Sequence, residues 1–172
     1  WTDIGNIDSF FFSNIGLTDD LPKFNLFDND NKIFTRPRLL PPTKFKKTSI
    51  DKSIFSDGCI INAKEIASSV IGSRSRIGSD TIIHSTYVMG NDFYQNINDM
   101  EEDVKNNKIL MGIGERCFIK NTIVDKNCRI GNDVHINGGK HLENIANELY
   151  VIKDGIVVIK KGAIIPNNFT IK

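Results

Sequence analysis

The sequence predicts a mainly β fold: a left-handed parallel β-helix of hexapeptide repeats, preceded by a short N-terminal helix and an extended connector. Three observations carry this. Large apolar residues recur in steps of six, sometimes five, a small residue often stands two positions before them, and Gly, Asn or Asp marks the intervening turns. The first run is Phe55, Ile61, Ile66, Ile71, Ile77, Ile83 and Val88, and the second is Ile113, Ile119, Val124, Ile130 and Ile136. The third is Ile152, Val158 and Ile164, with Ile171 close to phase. A period of 3.6 would scatter these residues around a helix, and plain alternation would need an apolar residue at every second position. A six-residue period instead suits a triangular coil in which each face is a short strand and each corner a turn. One large side chain then points inward per face, and successive coils stack into parallel sheets.

The small residues are Cys59, Ser69, Ser75, Thr81, Cys117, Thr122 and Cys128, sized for the crowded interior near a corner. Gly72, Gly78 and Gly131, with Asp57, Asp80, Asn127 and Asn132, are expected to supply the left-handed backbone of tight corners. All three cysteines occupy small-residue slots, so core packing accounts for them without a redox role.

Along the chain, residues 1–16 read as a turn followed by a short helix. Asn6 or Asp8 would cap it, and Ile7, Phe10, Phe11 and Ile15 would form its apolar face. Residues 17–49 form an extended connector, because Pro22, Pro37, Pro41 and Pro42 exclude a continuous helix. The β-helix is expected over 50–172, with insertions at about 91–112 and 137–151. The first insertion reads as a loop with a short helix, and its Glu101, Glu102 and Asp103 as a solvated face. Long insertions in a solenoid map to its outer surface, which makes 91–112 an interface or lid.

Composition narrows the function. A chain of 172 residues buries enough surface to fold without staples. Its net charge of +1 argues against nucleic acid as a partner, and no apolar run approaches the ~18 residues that span a bilayer. An odd, sparse set of cysteines reads as reduced thiols in an intracellular compartment, and the histidines lack zinc-site spacing. The opening Trp1-Thr2-Asp3-Ile4-Gly5 does not look like a targeting peptide and suits a fragment or processed chain.

Several blocks, in order, resemble the ADP-glucose pyrophosphorylases (glucose-1-phosphate adenylyltransferases). Trp1-Thr2-Asp3-Ile4-Gly5-Asn6-Ile7 is similar to that family's Trp-x-Asp-Ile-Gly-Thr-Ile. Phe34-Thr35-Arg36-Pro37-Arg38-Leu39-Leu40-Pro41-Pro42-Thr43-Lys44 resembles its connector, and Met89-Gly90-Asn91-Asp92-Phe93-Tyr94 its Met-x-Gly-Ala-Asp-Tyr-Tyr. Gly112-Ile113-Gly114-Glu115, Ile123 to Gly131, Tyr150 to Ile156 and Lys161 to Pro166 match further blocks. The resemblance covers essentially the whole chain and identifies it as the C-terminal regulatory and oligomerisation part. It implies the conversion of ATP and glucose 1-phosphate to ADP-glucose and pyrophosphate, in starch or glycogen synthesis, with Mg²⁺ as cofactor. Residues 1–16 would be the tail end of the nucleotidyltransferase domain, whose main part, with its Gly-rich phosphate loop, has no counterpart in this chain, since Gly138-Gly139 is isolated within an interruption. That domain is therefore an expected partner, clipped or separately encoded, and the chain by itself is expected to be inactive. Homo- or heterotetramers in plastid or cytoplasm, and phosphorylated small-molecule effectors, follow from the same resemblance.

The resemblance also carries site residues. Asp3 matches an Asp that helps hold Mg²⁺ against nucleotide phosphates, a task suited to a hard carboxylate oxygen; the alternative is that it caps the following helix. Arg36 and Arg38 flank Pro37, which restricts their geometry for bidentate contact with an anionic effector. Arg38 matches the family's arginine, whereas Arg36 stands where Gln is frequent. Lys126 and Lys161 match activator-binding lysines and offer point charges for a phosphate. Two competing readings are a stand-alone hexapeptide-repeat acyltransferase-like enzyme, using a residue such as His84, His135 or His141, and a purely structural β-helix.

Overall fold

The computed structural model describes residues 3–36 and 38–172. The six-residue repeat winds into a coil with three flat faces. On the first face Lys44–Phe45, Ile60–Ile61, Arg76–Ile77, Gly112–Ile113, Arg129–Ile130 and Ile164–Ile165 stack as one sheet, and every pair in it is parallel. The second face stacks Ser49–Asp51, Glu65–Ala67, the start of Ile82–Val88, the start of Phe118–Val124, His135–Asn137 and Thr170–Ile171. The third stacks Ile54–Phe55, Val70–Ile71, the far halves of the same two long strands, and Ile156–Ile159. Those long strands turn from the second face to the third through Ser85 at φ 43° and Asn121 at φ 47°.

The register explains the sequence spacing. Lys44 lies opposite Ile60, Ile60 opposite Arg76, and Phe118 opposite His135, so one coil takes 16 or 17 residues. Inside, Ile61, Ile77, Ile113, Ile130 and Ile165 form one buried column, and Ile66, Ile83, Ile119, Ile136 and Ile171 a second. Phe55, Ile71, Val88, Val124 and Ile159 form the third. Burying each such side chain contributes about 1.5–3 kcal/mol, which makes these columns the principal cohesive force.

Phase in the last run differs from expectation. Ile159 and Ile165 point inward; Val158 is only partly buried, and Ile164 is 54% exposed. Adjacent aliphatics in Val157-Val158-Ile159 and Ile164-Ile165 leave the inward position ambiguous in sequence. Ile152 is buried but belongs to a hairpin, not a coil: Tyr150–Lys153 pairs antiparallel with Ile156–Ile159 and with Ile145–Ala146. The second insertion thus runs on to this hairpin and extends the third sheet past its last coil strand. At the other end the coil already starts at Lys44–Phe45, within the stretch expected as connector.

All seven small-slot residues are buried. Their donors satisfy carbonyls: Ser75 Oγ donates to Gly72 O at 2.6 Å, and Thr81 Oγ1 to Gly114 O at 2.8 Å. Cys59 and Cys117 Sγ reach Gly72 O and Gly131 O at 3.2 Å each. Burial pushes all three thiols up, Cys128 to about 11.

The corners correct one expectation. Asp80 and Asn127 do adopt left-handed backbone, but so do Lys47, Lys52, Ser68, Arg74 and Arg116. Asp57 and Asn132 each stand one residue before the left-handed position, taken by Gly58 and Asp133. Gly72, Gly78 and Gly131 are not left-handed at all. They are small because the next coil is close: a Cβ on Gly78 would lie 2.5 Å from Gly114 O.

Two helices cover two of the faces. Helix α1 (Ile7–Ile15) is capped by Asn6, whose Oδ1 accepts from Ser9 N at 2.7 Å. Its Phe11 is buried against Ile123 and Ile156, and Phe10 meets Tyr87 at 5.7 Å between ring centroids, so α1 lies on the third face. Helix α2 (Ile97–Lys105) belongs to the first insertion and is capped by Asn96. Asp103 is not merely solvated. Arg129 donates to its Oδ2 at 2.8 Å, Gln95 bonds the same oxygen at 2.5 Å, and the Arg129 contact holds its carboxyl below the usual range. These bonds fasten α2 over the first face. Among the described residues, no helix is long and apolar enough to cross a membrane.

Candidate functional site

Lys126 and Lys161 occupy equivalent corner positions on neighbouring coils. Ile123 lies opposite Val158 and Val124 opposite Ile159, and the match continues into the corner, where Gly162 N donates to Lys126 O at 2.9 Å. Equivalent backbone positions on adjacent strands are about 4.8 Å apart, so the two side chains leave the coil side by side.

Both turn toward one carboxylate. Lys126 Nζ lies 2.7 Å from Asp92 Oδ1, and Lys161 Nζ lies 3.7 Å from Asp92 Oδ2. Asn127 completes the arrangement, its Nδ2 donating to Asp92 Oδ2 at 3.0 Å and its Oδ1 accepting from Asp92 N at 2.9 Å. The hydrogen bonds from Lys126 and Asn127 hold the Asp92 carboxyl down to about 2. Asp92 is therefore ionised at any working pH, and the trio carries two cations against one anion. Lys160 takes no part: its Nζ donates to Asn147 O in the hairpin.

The same corner continues toward the first coil. Asn91 is buried there, its Nδ2 donating to Arg74 O at 2.9 Å, and Arg74 lies 5.6 Å from the centroid of the Tyr94 ring. Tyr94 Oη donates to Gly58 O at 2.9 Å. Leu40, at the end of the Pro-Arg connector, lies against Gly58, and Thr43 Oγ1 donates to Ser56 O at 2.7 Å. Segment 91–94 thus runs down the corner from the lysines to the connector, over three coil spacings or about 14 Å.

The expected site residues divide accordingly. Lys126 and Lys161 come together. Arg36 and Arg38 are exposed on the connector that reaches the far end of the same corner; Pro37 lies outside the described residues. Asp3 is exposed, and its Oδ1 accepts from Gly5 N at 3.1 Å in a local turn, so the helix cap is Asn6 and not Asp3. The segment after Asp3 adjoins the lysine corner, for Ile4, Gly5 and Asn6 line a shallow cleft of about 380 Å³ together with Met89 and Asp125. Among the described residues no three His, Cys, Asp or Glu side chains gather as a metal set. His84 pairs with Glu65 at 2.7 Å, and His135 stacks on Phe118 at 4.8 Å.

Reading residue types alone missed Asp92 and Asn127. Both stand inside the motif blocks, but only the register brings Asp92 onto a lysine 34 residues away.

A family model described as the GLGC left-handed parallel beta-helix domain matches residues 38–170.

Proposed function

The chain belongs to the GLGC left-handed parallel β-helix family, the domain that forms the C-terminal part of glucose-1-phosphate adenylyltransferase, and on that premise we propose that it serves as the regulatory and assembly part of such an enzyme. In this reading the chain does not perform the chemistry. A nucleotidyltransferase domain joins ATP and glucose 1-phosphate into ADP-glucose and pyrophosphate, for starch or glycogen synthesis, and this chain adjusts that activity and holds subunits in a homo- or heterotetramer.

The observation that carries the proposal is the convergence of Lys126 and Lys161 on one exposed anion, Asp92. Two ammonium groups side by side on a rigid corner suit the phosphate of a small effector such as 3-phosphoglycerate or inorganic phosphate. Arg36 and Arg38 would bring planar donors from the connector to the same ligand or to its approach. The connector leads from the coil toward residues 1–16, the tail end of the catalytic domain in this reading. An anion held between coil and connector would therefore favour one arrangement of the domains. Coupling of that kind is worth about 1–3 kcal/mol, or 5- to 150-fold in affinity, and acts reciprocally on substrate and effector.

Mg²⁺ enters this proposal only in the assembled enzyme. Bound with nucleotide phosphates it needs only one or two carboxylates, and Asp3 would supply one. What supports this is that Asp3 is exposed, its Oδ1 accepting from Gly5 N at 3.1 Å just before α1.

The test is direct. In the tetrameric enzyme containing this chain, Lys126→Gln and Lys161→Gln are expected each to raise the half-maximal effector concentration about tenfold, the double variant more. Unchanged effector response in the double variant, with the tetramer intact by light scattering, would leave assembly as the chain's only role.

A further inference from the structure

We propose that Asp92 is a resident counter-anion which an effector must displace, and that this competition selects dianionic phosphate esters over monocarboxylates. The inference rests on the reading of Lys126 and Lys161 as an effector site, and it adds how that site chooses and reports its ligand.

The geometry is that of an occupied anion site whose occupant is part of the chain. One oxygen of Asp92 meets Lys126 at 2.7 Å, and the other takes Asn127 at 3.0 Å and Lys161 at 3.7 Å. The contact with Lys161 is long, so one carboxylate spans the two ammonium groups incompletely. A tethered group competes at an effective concentration in the millimolar range. A free monocarboxylate offers the same charge and the same two oxygens, and gains little by replacing Asp92. A phosphate monoester brings a charge of about −1.5 to −2 and three acceptor oxygens, enough to face both lysines at once. With Asp92 gone, the two lysines present two positive charges to that dianion.

Displacement also has a mechanical reading. Asp92 is the second residue of the first insertion, and Tyr94, two residues on, is tied to Gly58 O at 2.9 Å. Leu40 of the connector lies against the same Gly58. Behind Asp92, the Asn91 side chain is fixed to Arg74 O at 2.9 Å. When Asp92 leaves the lysines, the freed segment is short and bounded by these two anchors, so the change is delivered to the Tyr94–Gly58 contact beside the connector. Asp92 is here a positioning and selecting residue, not a catalytic one.

The experiment is isothermal titration of the whole chain with inorganic phosphate and with acetate at pH 8. The chain as it stands is expected to bind phosphate and to reject acetate. Asp92→Asn should bind phosphate about two- to fivefold tighter and acquire acetate binding, because an exposed paired charge is worth a factor of that order. Asp92→Ser, which also removes the oxygen that accepts from Asn127 Nδ2 and keeps the backbone bond to Asn127 Oδ1, should behave the same way. If both variants bind phosphate no tighter and still reject acetate, Asp92 is only a structural peg and the inference fails. It fails also if the unsubstituted chain takes acetate as well as phosphate. The double variant Lys126→Gln, Lys161→Gln separates the two levels: phosphate binding that survives it overturns the effector-site reading itself. Absence of phosphate binding in every variant overturns both.

Discussion

At the scale of single residues, the glycines show why composition alone misleads. Gly78, expected as a corner residue, and Gly162, which stands beside Lys161 at a corner, are required for different reasons. Gly78 has an ordinary backbone, and an added Cβ would meet Gly114 O at 2.5 Å; Gly162 has open space around it but φ of +71°. Gly78→Ala must push two coils apart and should cost about 1–3 kcal/mol, as overpacking does. Gly162→Ala carries only the left-handed penalty, about 1 kcal/mol. Urea denaturation of the two variants checks the order, and equal losses would refute the distinction. Inward isoleucines such as Ile77, between Arg76 and Gly78, and Ile130, between Arg129 and Gly131, have no large apolar neighbour, and they set the phase for pairs such as Ile60-Ile61 and Ile82-Ile83 in the same runs. Ile164-Ile165 follows adjacent aliphatics at Val151-Ile152 and Ile156 to Ile159, with no isolated residue before it to set the phase. Lys126 and Lys161 were legible through their motif blocks. Their common partner was not, because no spacing in the sequence connects Asp92 to either.

At the scale of elements, helix α2 of the first insertion is fastened by a carboxylate rather than by apolar packing: it has no buried residue, Ile97 and Val104 are exposed, and Asp103 meets Arg129. Asp92 on Lys126 holds the start of the insertion together with the Asn91 and Tyr94 contacts, and Met111 is buried near its end. Both carboxyls are lowered from 3.8 in the folded chain, Asp92 to about 2. A lowered carboxyl stabilises fully above its unfolded value and loses that contribution as pH falls through the folded one. Between pH 5 and 2 the insertion should therefore loosen while the coil, held by aliphatic columns, persists. Hydrogen-exchange protection factors over 97–111, taken relative to the intrinsic exchange rate at each pH, should fall about two- to fivefold before those of coil amides change. Asp103→Asn should reproduce much of this at neutral pH. Simultaneous loss of coil and insertion protection would show that the insertion is integral to the coil. The acidic run around Asp103 read as solvated because its partner Arg129 lies 26 positions away.

At the scale of the whole molecule, the two ends of the coil differ. Among the described residues no coil precedes the one that starts at Lys44, and its inward-phase Phe45 and Ile50 are each 44% exposed. The last is backed by the hairpin, with Leu142, Tyr150 and Phe169 packed on the core. In a stack where each coil touches only its neighbours, opening propagates from the less protected end. The buried cysteines report on this, since Cys59 lies near the first coil and Cys117 and Cys128 lie deeper. Under native conditions a thiol reagent should modify Cys59 well before the other two, as followed by mass spectrometry. Equal rates would mean that the coil opens as one unit. Faces one and three are covered by α2 and α1, while face two carries His84, Phe118 and His135 on its outer side.

The alignment of Lys126 with Lys161 has a further consequence. Their separation is set by the hydrogen-bond spacing between parallel strands, about 4.8 Å, and not by any side chain. The corner is thus a ruler graduated by the backbone itself. Substitution can change which charge stands at each mark but not the distance between marks. A ligand of the proposed site would have to suit that interval or a multiple of it, and its recognition would be tuned by choosing rungs, whereas a loop-built pocket is tuned by moving atoms.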